Sequence, residues 1–476
     1  MSPSILDIFD DLSFSTIQRD LLSTGSYRLD ASFYDPQTLE AQRTLARSGL
    51  TLQRLSEVTE VYCSNLRERT FVAPDNGVAL LAGHNLDTDD DRDLKYVSRV
   101  LTRGIDRETL KQGDVLVSSA GTVGFFDFVW DNHEGRLASQ HIIRIRSNEV
   151  AALPGYIYAY LSSPIALAMV TNQSAGSVIV TLYTEHLASL PLPRLDPKCE
   201  QQIHEMIVSS FQHRNRCRQL LQQARTAVLQ ANQLPALPTH EEEELDCYAV
   251  SQSAIQDLEL ELRLEAHFHN PRARMAITNI QKHTPESCTL KEVAERTFFC
   301  NRFTRTFVEA THGIPYIAGK NIVQIRPRAE NYLSTAQTED LTSYRLRRGW
   351  ILITCSGTIG RTCFVWKNLE ESVASHDLIR VVADTGRIDQ GYLYAFLSSP
   401  YGYEQMDRFK YGSVIDHVTP EQVEKVVIPL PEISKQREIG DKVRSAYEKR
   451  ADALRLEDEA QELLMGELNG TAAVEK

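Results

Sequence analysis

The sequence predicts a mixed α/β (α+β) protein with two β-rich globular domains in tandem, separated by a pair of long antiparallel, coiled-coil-like helices. Three observations predict this class. The chain matches itself at an offset of 236 residues, each copy is dense in short β-patterned runs, and each copy closes with a long stretch free of proline and poor in glycine.

The repeat is read most easily from "SSAGTVGFFDFVW" (Ser118 to Trp130) and "TCSGTIGRTCFVW" (Thr354 to Trp366). At the same offset "AGHN" from Ala82 meets "AGKN" from Ala318, and "TFV" at Thr70 meets "TFV" at Thr306. "LKQGDVLVS" from Leu110 meets "LRRGWILIT" from Leu346, and "ASQHIIRI" from Ala138 meets "ASHDLIRV" from Ala374. "GYIYAYLSSP" from Gly155 meets "GYLYAFLSSP" from Gly391, and "GSVI" recurs at Gly176 and Gly412. "RLDASFYDP" from Arg28 matches "RLEAHFHNP" from Arg263 with a one-residue slip. So many matches in one order mark a duplicated unit of more than 200 residues, not a short solenoid repeat.

Each element follows from local pattern. The runs "GVALLAG", "DVLVSS", "FFDFVW" and "HIIRIRS" are punctuated by Gly, Asp and Asn and read as strands. "PGYIYAYLSSPIALAMV" has Tyr and Leu at helical spacing, and those Tyr residues, like Trp130 and Trp366, are expected in the core. A short strand then ends in "PLP", at Pro191 to Pro193 and at Pro429 to Pro431. The closing stretches, Lys198 to Gln233 and Ser434 to Leu464, carry a heptad seam. Its positions are Ile203, Ile207, Ser210, Arg214, Cys217, Leu221, Ala224 and Val228, then Ile439, Val443, Ala446, Arg450, Ala453, Glu457, Ala460 and Leu464. Charged residues on the seam favour a short antiparallel pair inside one protein over a free coiled coil.

Composition excludes several classes. No run of about 18 apolar residues exists to span a membrane. The acidic start, "MSPSILDIFDDLSF", does not resemble a secretory leader. The eight cysteines are scattered, with no C-x-x-C pair, which predicts reduced thiols in a cytoplasm and no metal centre. The P-loop, the dinucleotide G-x-G-x-x-G, H-E-x-x-H, G-x-S-x-G and the deaminase pattern are all missing. His141 aligns with Asp377 and not with His376, so no dyad is repeated, and no catalytic residue is expected.

The net charge of −13 counts against nucleic-acid binding, but the acid is clustered. Between Asn301 and Arg361 nine bases meet four acids, a balance of +5, whereas Asn65 to Phe125 has eight bases and ten acids, or −2. Each G-T-[VI]-G segment admits two compatible readings. One is a glycine turn feeding a strand, and the other is a turn whose N–H and hydroxyl groups approach phosphates.

Two non-identical β-rich units, each ending in P-L-P before a long helix, resemble the specificity subunits of type I restriction-modification systems. "PLPEISKQREIGDKV" (Pro429 to Val443) is similar to the start of that family's helical spacer. The "GSVI…PLP" run-up and "SGTIG" are similar to its target-recognition domains. The first unit departs from the second by two extra residues between P-L-P and Ile203.

The resemblance implies target-recognition domains at residues 1–196 and 236–431, spacer helices at 197–235 and 432–470, and a tail at 471–476. It implies a non-catalytic DNA-binding subunit whose two domains each read half of a bipartite site in double-stranded DNA. The long helices would bind methyltransferase (modification) subunits, and restriction/motor subunits would join the full complex in the cytoplasm. S-adenosylmethionine and ATP would sit on those partners, with no cofactor on this chain. The alternative is a specificity-subunit-like interaction scaffold of a defence complex, with weak or no DNA binding.

Candidate DNA contacts are Lys and Arg residues that would hold phosphates and polar side chains that would read base edges, some of them, such as Gln140 against His376 and His141 against Asp377, changed between the units. In the first unit they are Arg67, Arg69, Lys95, Arg99, Ser119, Thr122, Gln140, His141 and Ser177. In the second they are Arg302, Arg305, Lys320, Arg345, Arg347, Arg348, Ser356, Thr358, Arg361, His376 and Ser413.

Overall fold

The structure, a computed structural model, describes residues 35–66, 69–88, 94–120, 123–173, 181–238, 250, 263–300, 304–336 and 341–470. The chain divides into two compact units. The first is Met1–Asp87, Asp91–Gln212 and Ala453–Lys476, and the second is Thr88–Asp90 and His213–Asp452.

The first unit opens with α1 (Pro36–Arg47), where Asp35 accepts from the backbone N–H groups of Gln37 at 2.9 Å and Thr38 at 3.3 Å, and Pro36 fills the first turn. Its described strands are β1 (Thr51–Arg54), β2 (Thr59–Cys63), β3 (Phe71–Val72), β4 (Gly77–Leu81), β5 (Lys95–Ser98), β6 (Val115–Ser118), β7 (Phe126–Phe128), β8 (Leu137–Ala138), β9 (Ile142–Ser147) and β10 (Pro191–Arg194). They form a β1–β10 ribbon and two four-stranded sheets, β2–β9–β6–β7 and β3–β5–β4–β8. All pairs are antiparallel except β4 with β8. Helices α2 (Pro154–Leu161) and α3 (Pro164–Gln173) precede β10, and α4 (Pro197–Ala231) follows it.

The alternation of β6 explains why it is buried on both faces. Val115 and Val117 face a core shared with Phe128, Tyr156 and Phe211, whereas Leu116 faces a second core with Leu81, Leu110 and Val129.

The second unit repeats this plan. Helix α5 (Pro271–His283) is capped by Asn270, which accepts from Arg272 N–H at 2.9 Å. The strands are β11 (Ser287–Thr289), β12 (Ala294–Phe298), β13 (Phe307–Val308), β14 (Gly313–Ile317), β15 (Asn331–Ser334), β16 (Ile351–Thr354), β17 (Thr362–Phe364), β18 (Val373–Ala374), β19 (Leu378–Ala383) and β20 (Val427–Pro429). They pair as β11–β20, β12–β19–β16–β17 and β13–β15–β14–β18, the same order shifted by ten strands. Helices α6 (Gln390–Leu397), α7 (Pro400–Asp407) and α8 (Ile433–Leu468) complete it.

The repeat extends to single hydrogen bonds. Ala82 N–H donates to Asn85 Oδ1 at 2.8 Å, and Ala318 N–H to Asn321 Oδ1 at 2.8 Å, so the Asn of "AG[HK]N" closes a buried turn. The Tyr156 and Tyr392 hydroxyls donate to the carbonyls of Pro193 and Pro429. Phe128 stacks on Trp130 with centroids 5.7 Å apart, as Phe364 does on Trp366 at 5.6 Å.

Two sequence alignments are corrected by this geometry. Pro193 and Pro429 do the same job and the long helices start at Pro197 and Ile433, so the 236-residue offset is unbroken here. The second "PLP" begins at that equivalent proline instead of ending on it, and no residues are inserted before Ile203. The one-residue slip near the start of each unit is an extra helical residue, since α5 has 13 residues and α1 has 12.

Every seam position of the long helices is buried. In the first unit the α4 residues Ile203, Ile207 and Phe211 share a core with Ala460, Leu464 and Leu468 of α8, and Ser210 Oγ donates to Ala453 O at 2.8 Å. In the second, Leu221, Ala224 and Val228 of α4 share a core with Ile439, Val443 and Ala446 of α8. Early α4 with late α8, and late α4 with early α8, is an antiparallel order. Phe211 packs edge-on against Phe128 and Tyr158, and the matching Tyr447 packs against Phe364 and Tyr394. Full burial of one such ring stabilises its unit by about 1.5–3 kcal/mol.

Arg144 and Arg380 occupy the same register of β9 and β19 and are fully buried. Their Nη groups find different acceptors. Arg144 donates to the carbonyl and carboxylate of Glu108 at 2.7 and 2.8 Å, whereas Arg380 donates to the carbonyls of Ser375 at 2.8 Å, Leu378 at 2.6 Å and Ala374.

Candidate nucleic-acid interface

In each unit three loops are tied together at one end of the sheets. In the first, Ser119 N–H donates to His141 O at 2.8 Å, and Ser119 O accepts from Leu182 N–H at 2.8 Å. Ser139 N–H donates to Leu81 O at 2.8 Å and joins this cluster to the end of β4. In the second, Cys355 N–H donates to Asp377 O at 3.3 Å, and Cys355 O accepts from Val418 N–H at 3.1 Å. Gly357 N–H donates to Asp416 O at 2.8 Å, and Ser375 N–H to Ile317 O at 2.7 Å.

The described residues of the G-T-[VI]-G segments lie between β6 and β7 in the first unit and between β16 and β17 in the second. Ser118 Oγ accepts from Phe125 N–H, and Thr354 Oγ1 from Arg361 N–H, each at 3.0 Å. Gly124 and Gly360 take φ values of +88° and +75°, where a side chain is strained. These two hydroxyls brace the chain where it enters and leaves each turn.

Of the residues selected in the first unit, Arg67, Thr122 and Ser177 lie outside the described residues. Arg69 and Gln140 are brought together, with Arg69 Nη2 donating to Gln140 Oε1 at 2.7 Å and Arg69 Nε to Leu66 O at 2.9 Å. Gln140 Nε2 lies 3.4 Å from His141 Nε2, and both side chains are exposed. Lys95 is exposed on β5, its ammonium 5.5 Å from the Phe71 ring centroid, and Arg99 is exposed in the following turn. Ser119 is buried within the loop cluster, so its side chain serves the fold.

In the second unit Arg302 lies outside the described residues. Arg305 is exposed and donates through Nη1 to the Tyr316 hydroxyl at 3.1 Å. Lys320 pairs with Glu330 at 2.6 Å, Arg345 with Glu371 at 2.7 Å and Arg348 with Glu370 at 2.7 Å. Arg347 is exposed, 6.0 Å from the Trp350 centroid. Thr358 and Ser413 are exposed, Ser356 is half-buried in a bridge to His417, and His376 lies 3.2 Å from Asp377. Arg361 is buried, and that burial lowers its pKa.

Sequence reasoning missed Tyr316. Its signal was an aromatic hydroxyl at a position where the first unit has the aliphatic Leu80.

The loop end presents hydrogen-bonding side chains, among them Arg69, Gln140, His141 and Arg305. Burial and the nearby Asp377 push the Cys355 thiol up to about 12, so it stays protonated at neutral pH. Among the described residues no group of three or more His, Cys, Asp or Glu converges as metal ligands, and no helix is long and apolar enough to cross a membrane. A cavity of about 460 Å³ beside β13–β15 is lined by Val308, Thr311, His312 and Ser334, without an acid or a nucleophilic thiol.

Residues 285–454, from before β11 into α8, match the family described as the type I restriction modification DNA specificity domain. The matched stretch lies almost wholly in the second unit, and the first unit repeats the strand order of the second element for element. No curated protein matches the sequence. Solved structures similar to the chain include the S subunit of a type I restriction-modification system from M. genitalium, at 12% identity and a TM-score of 0.38, covering 89% of this chain and 96% of that one. The HsdS subunit from Thermoanaerobacter tengcongensis aligns at 14% identity and a TM-score of 0.29, covering 89% and 97%.

Proposed function

We propose that the chain is a DNA-recognition specificity subunit that reads a bipartite duplex target, one half with each unit, and that it carries no chemistry of its own. The observation that carries this reading is the DNA specificity domain at residues 285–454, together with the same fold at a 236-residue offset in the first half. The scaffold hydrogen bonds are shared, while Arg69–Gln140 and Arg305–Tyr316 differ at its loop end. Shared scaffold with altered edges is what two different half-site readings require.

In this reading the domains span 1–196 and 236–431, and the helices α4 and α8 set the unspecified gap and bind methyltransferase subunits. Restriction and motor subunits complete the assembly in the cytoplasm. S-adenosylmethionine and ATP are bound by those partners.

A second reading, an interaction scaffold without DNA binding, is favoured by the engagement of Lys320, Arg345 and Arg348 with glutamates, which neutralises much of the basic stretch. One titration separates the two. The full chain is titrated with mixed-sequence duplex at several salt concentrations, alone and with a methyltransferase partner. Binding that falls steeply with salt supports DNA reading, and no binding in either case supports the scaffold.

A further inference from the structure

Arg69 and Arg305 are equivalent residues, 236 positions apart, yet each guanidinium is held by a different neighbour. In the first unit Nε donates to Leu66 O and Nη2 to Gln140 Oε1, at 2.9 and 2.7 Å. The Nε/Nη2 edge is thereby used by the protein, and the end-on fork of Nη1 and Nη2 remains. In the second unit Nη1 donates to the Tyr316 hydroxyl at 3.1 Å, and the guanidinium carbon lies 5.6 Å from that ring's centroid. Here Nη1 is engaged, and the side edge of Nε and Nη2 remains.

The holding groups cannot trade roles between units. Tyr316 aligns with Leu80, which has no hydroxyl. Gln140 aligns with His376, which lies 3.2 Å from Asp377. Both arginines border the tied loops, because Gln140 lies in the 139–141 turn and Tyr316 is next to Ile317, whose carbonyl receives Ser375 N–H. A planar fork with two parallel N–H groups matches the O6 and N7 acceptors of guanine in the major groove.

Resting on the DNA-reading function above, we propose that Arg69 and Arg305 each read a guanine, and that Gln140 and Tyr316 are positioning residues that aim the same arginine through different edges. Gln140 then acts on the base through Arg69, since its own acceptor is occupied.

The test is selection of bound sequences from a randomised duplex pool by the full chain and by its Gln140→Leu, Tyr316→Phe, Arg69→Ala and Arg305→Ala variants. Thermal melting confirms that each variant is folded. Tyr316→Phe removes one hydroxyl and is expected to relax one guanine position in one half-site only. Gln140→Leu should relax a position in the other half-site. Each arginine variant should lose the guanine preference at its position, with affinity for the selected sequence falling roughly 5- to 150-fold. Rescue of the preference by Tyr316→His, which restores an aromatic acceptor, supports positioning. Folded arginine variants that weaken all sequences equally, as phosphate contacts do, overturn the proposal. So do Tyr316→Phe and Gln140→Leu variants with the wild-type preference in both half-sites. A wild-type chain that selects no sequence instead overturns the DNA-reading function itself.

Discussion

The backbone N–H of Gly155 donates to Nδ1 of His204 at 3.0 Å, so the first turn of α2 is capped by a side chain from α4. The second unit solves the same problem within its own helix. Asp389 accepts from Gly391 and Tyr392 N–H at 2.9 and 3.0 Å, and Gly440 stands where the first unit has His204.

This cap is pH-dependent. Burial lowers the His204 pKa below its usual 6.5, because desolvation disfavours the charged imidazolium, and Nδ1 accepts the Gly155 N–H only while unprotonated. The His204 contribution to stability is complete above the unfolded value and is lost as pH falls through it toward the lower folded value. The melting temperature should fall more between pH 7.5 and 5.5 in the wild type than in His204→Asn, whose Oδ1 can replace Nδ1 without titrating. Equal falls would remove His204 from the cause.

His133 Nε2 lies 2.9 Å from Asp127 Oδ2, with both side chains 2% exposed, where the second unit has Leu369 and Cys363. His133→Leu alone leaves a buried polar side chain beside an apolar one and should cost about 1–3 kcal/mol. The pair Asp127→Cys with His133→Leu transplants the second unit's solution and should recover most of that loss. Denaturation of the two variants and of Asp127→Cys gives the coupling energy, and additive effects would show that the pair does not act as one.

Replacing Arg345, Arg347 and Arg348 together by Ala should weaken binding across all duplex sequences and reduce the salt slope by up to about three. Glu370→Gln with Glu371→Gln should do the opposite, because it releases Arg348 and Arg345 from the carboxylates that hold them. Unchanged affinity in both variants would take this edge off the contact surface.

Inserting four residues, about one helical turn, into each of α4 and α8 should lengthen the gap between half-sites and leave both half-sites unchanged. Sequence selection checks this directly. The wild-type gap in a folded variant would show that these helices do not set it.

The duplication was legible because its residues do structural work in both copies. Asn85 and Asn321 close the same turn, and Tyr156 and Tyr392 reach equivalent proline carbonyls. The P-L-P match misled for the same reason in reverse, since identical letters fell at positions that make different contacts. At the site, polarity selected Ser119 and Arg361, whose side chains are buried in the fold. The Arg69–Gln140 contact spans 71 residues and depends on the 139–141 turn, so no local pattern announces it. Tyr316 was hidden because an aromatic residue on a strand reads as core.

The two buried arginines set a rule for engineering. Arg380 donates through Nη1 and Nη2 to backbone carbonyls of its own 374–378 turn, so that segment carries those acceptors with it when transplanted. Arg144 depends on Glu108, 36 residues away, so the matching segment of the first unit is portable only together with the turn around Glu108. Loop grafts between the halves are therefore asymmetric: a donor segment from the second unit is self-contained, whereas one from the first must travel as two pieces.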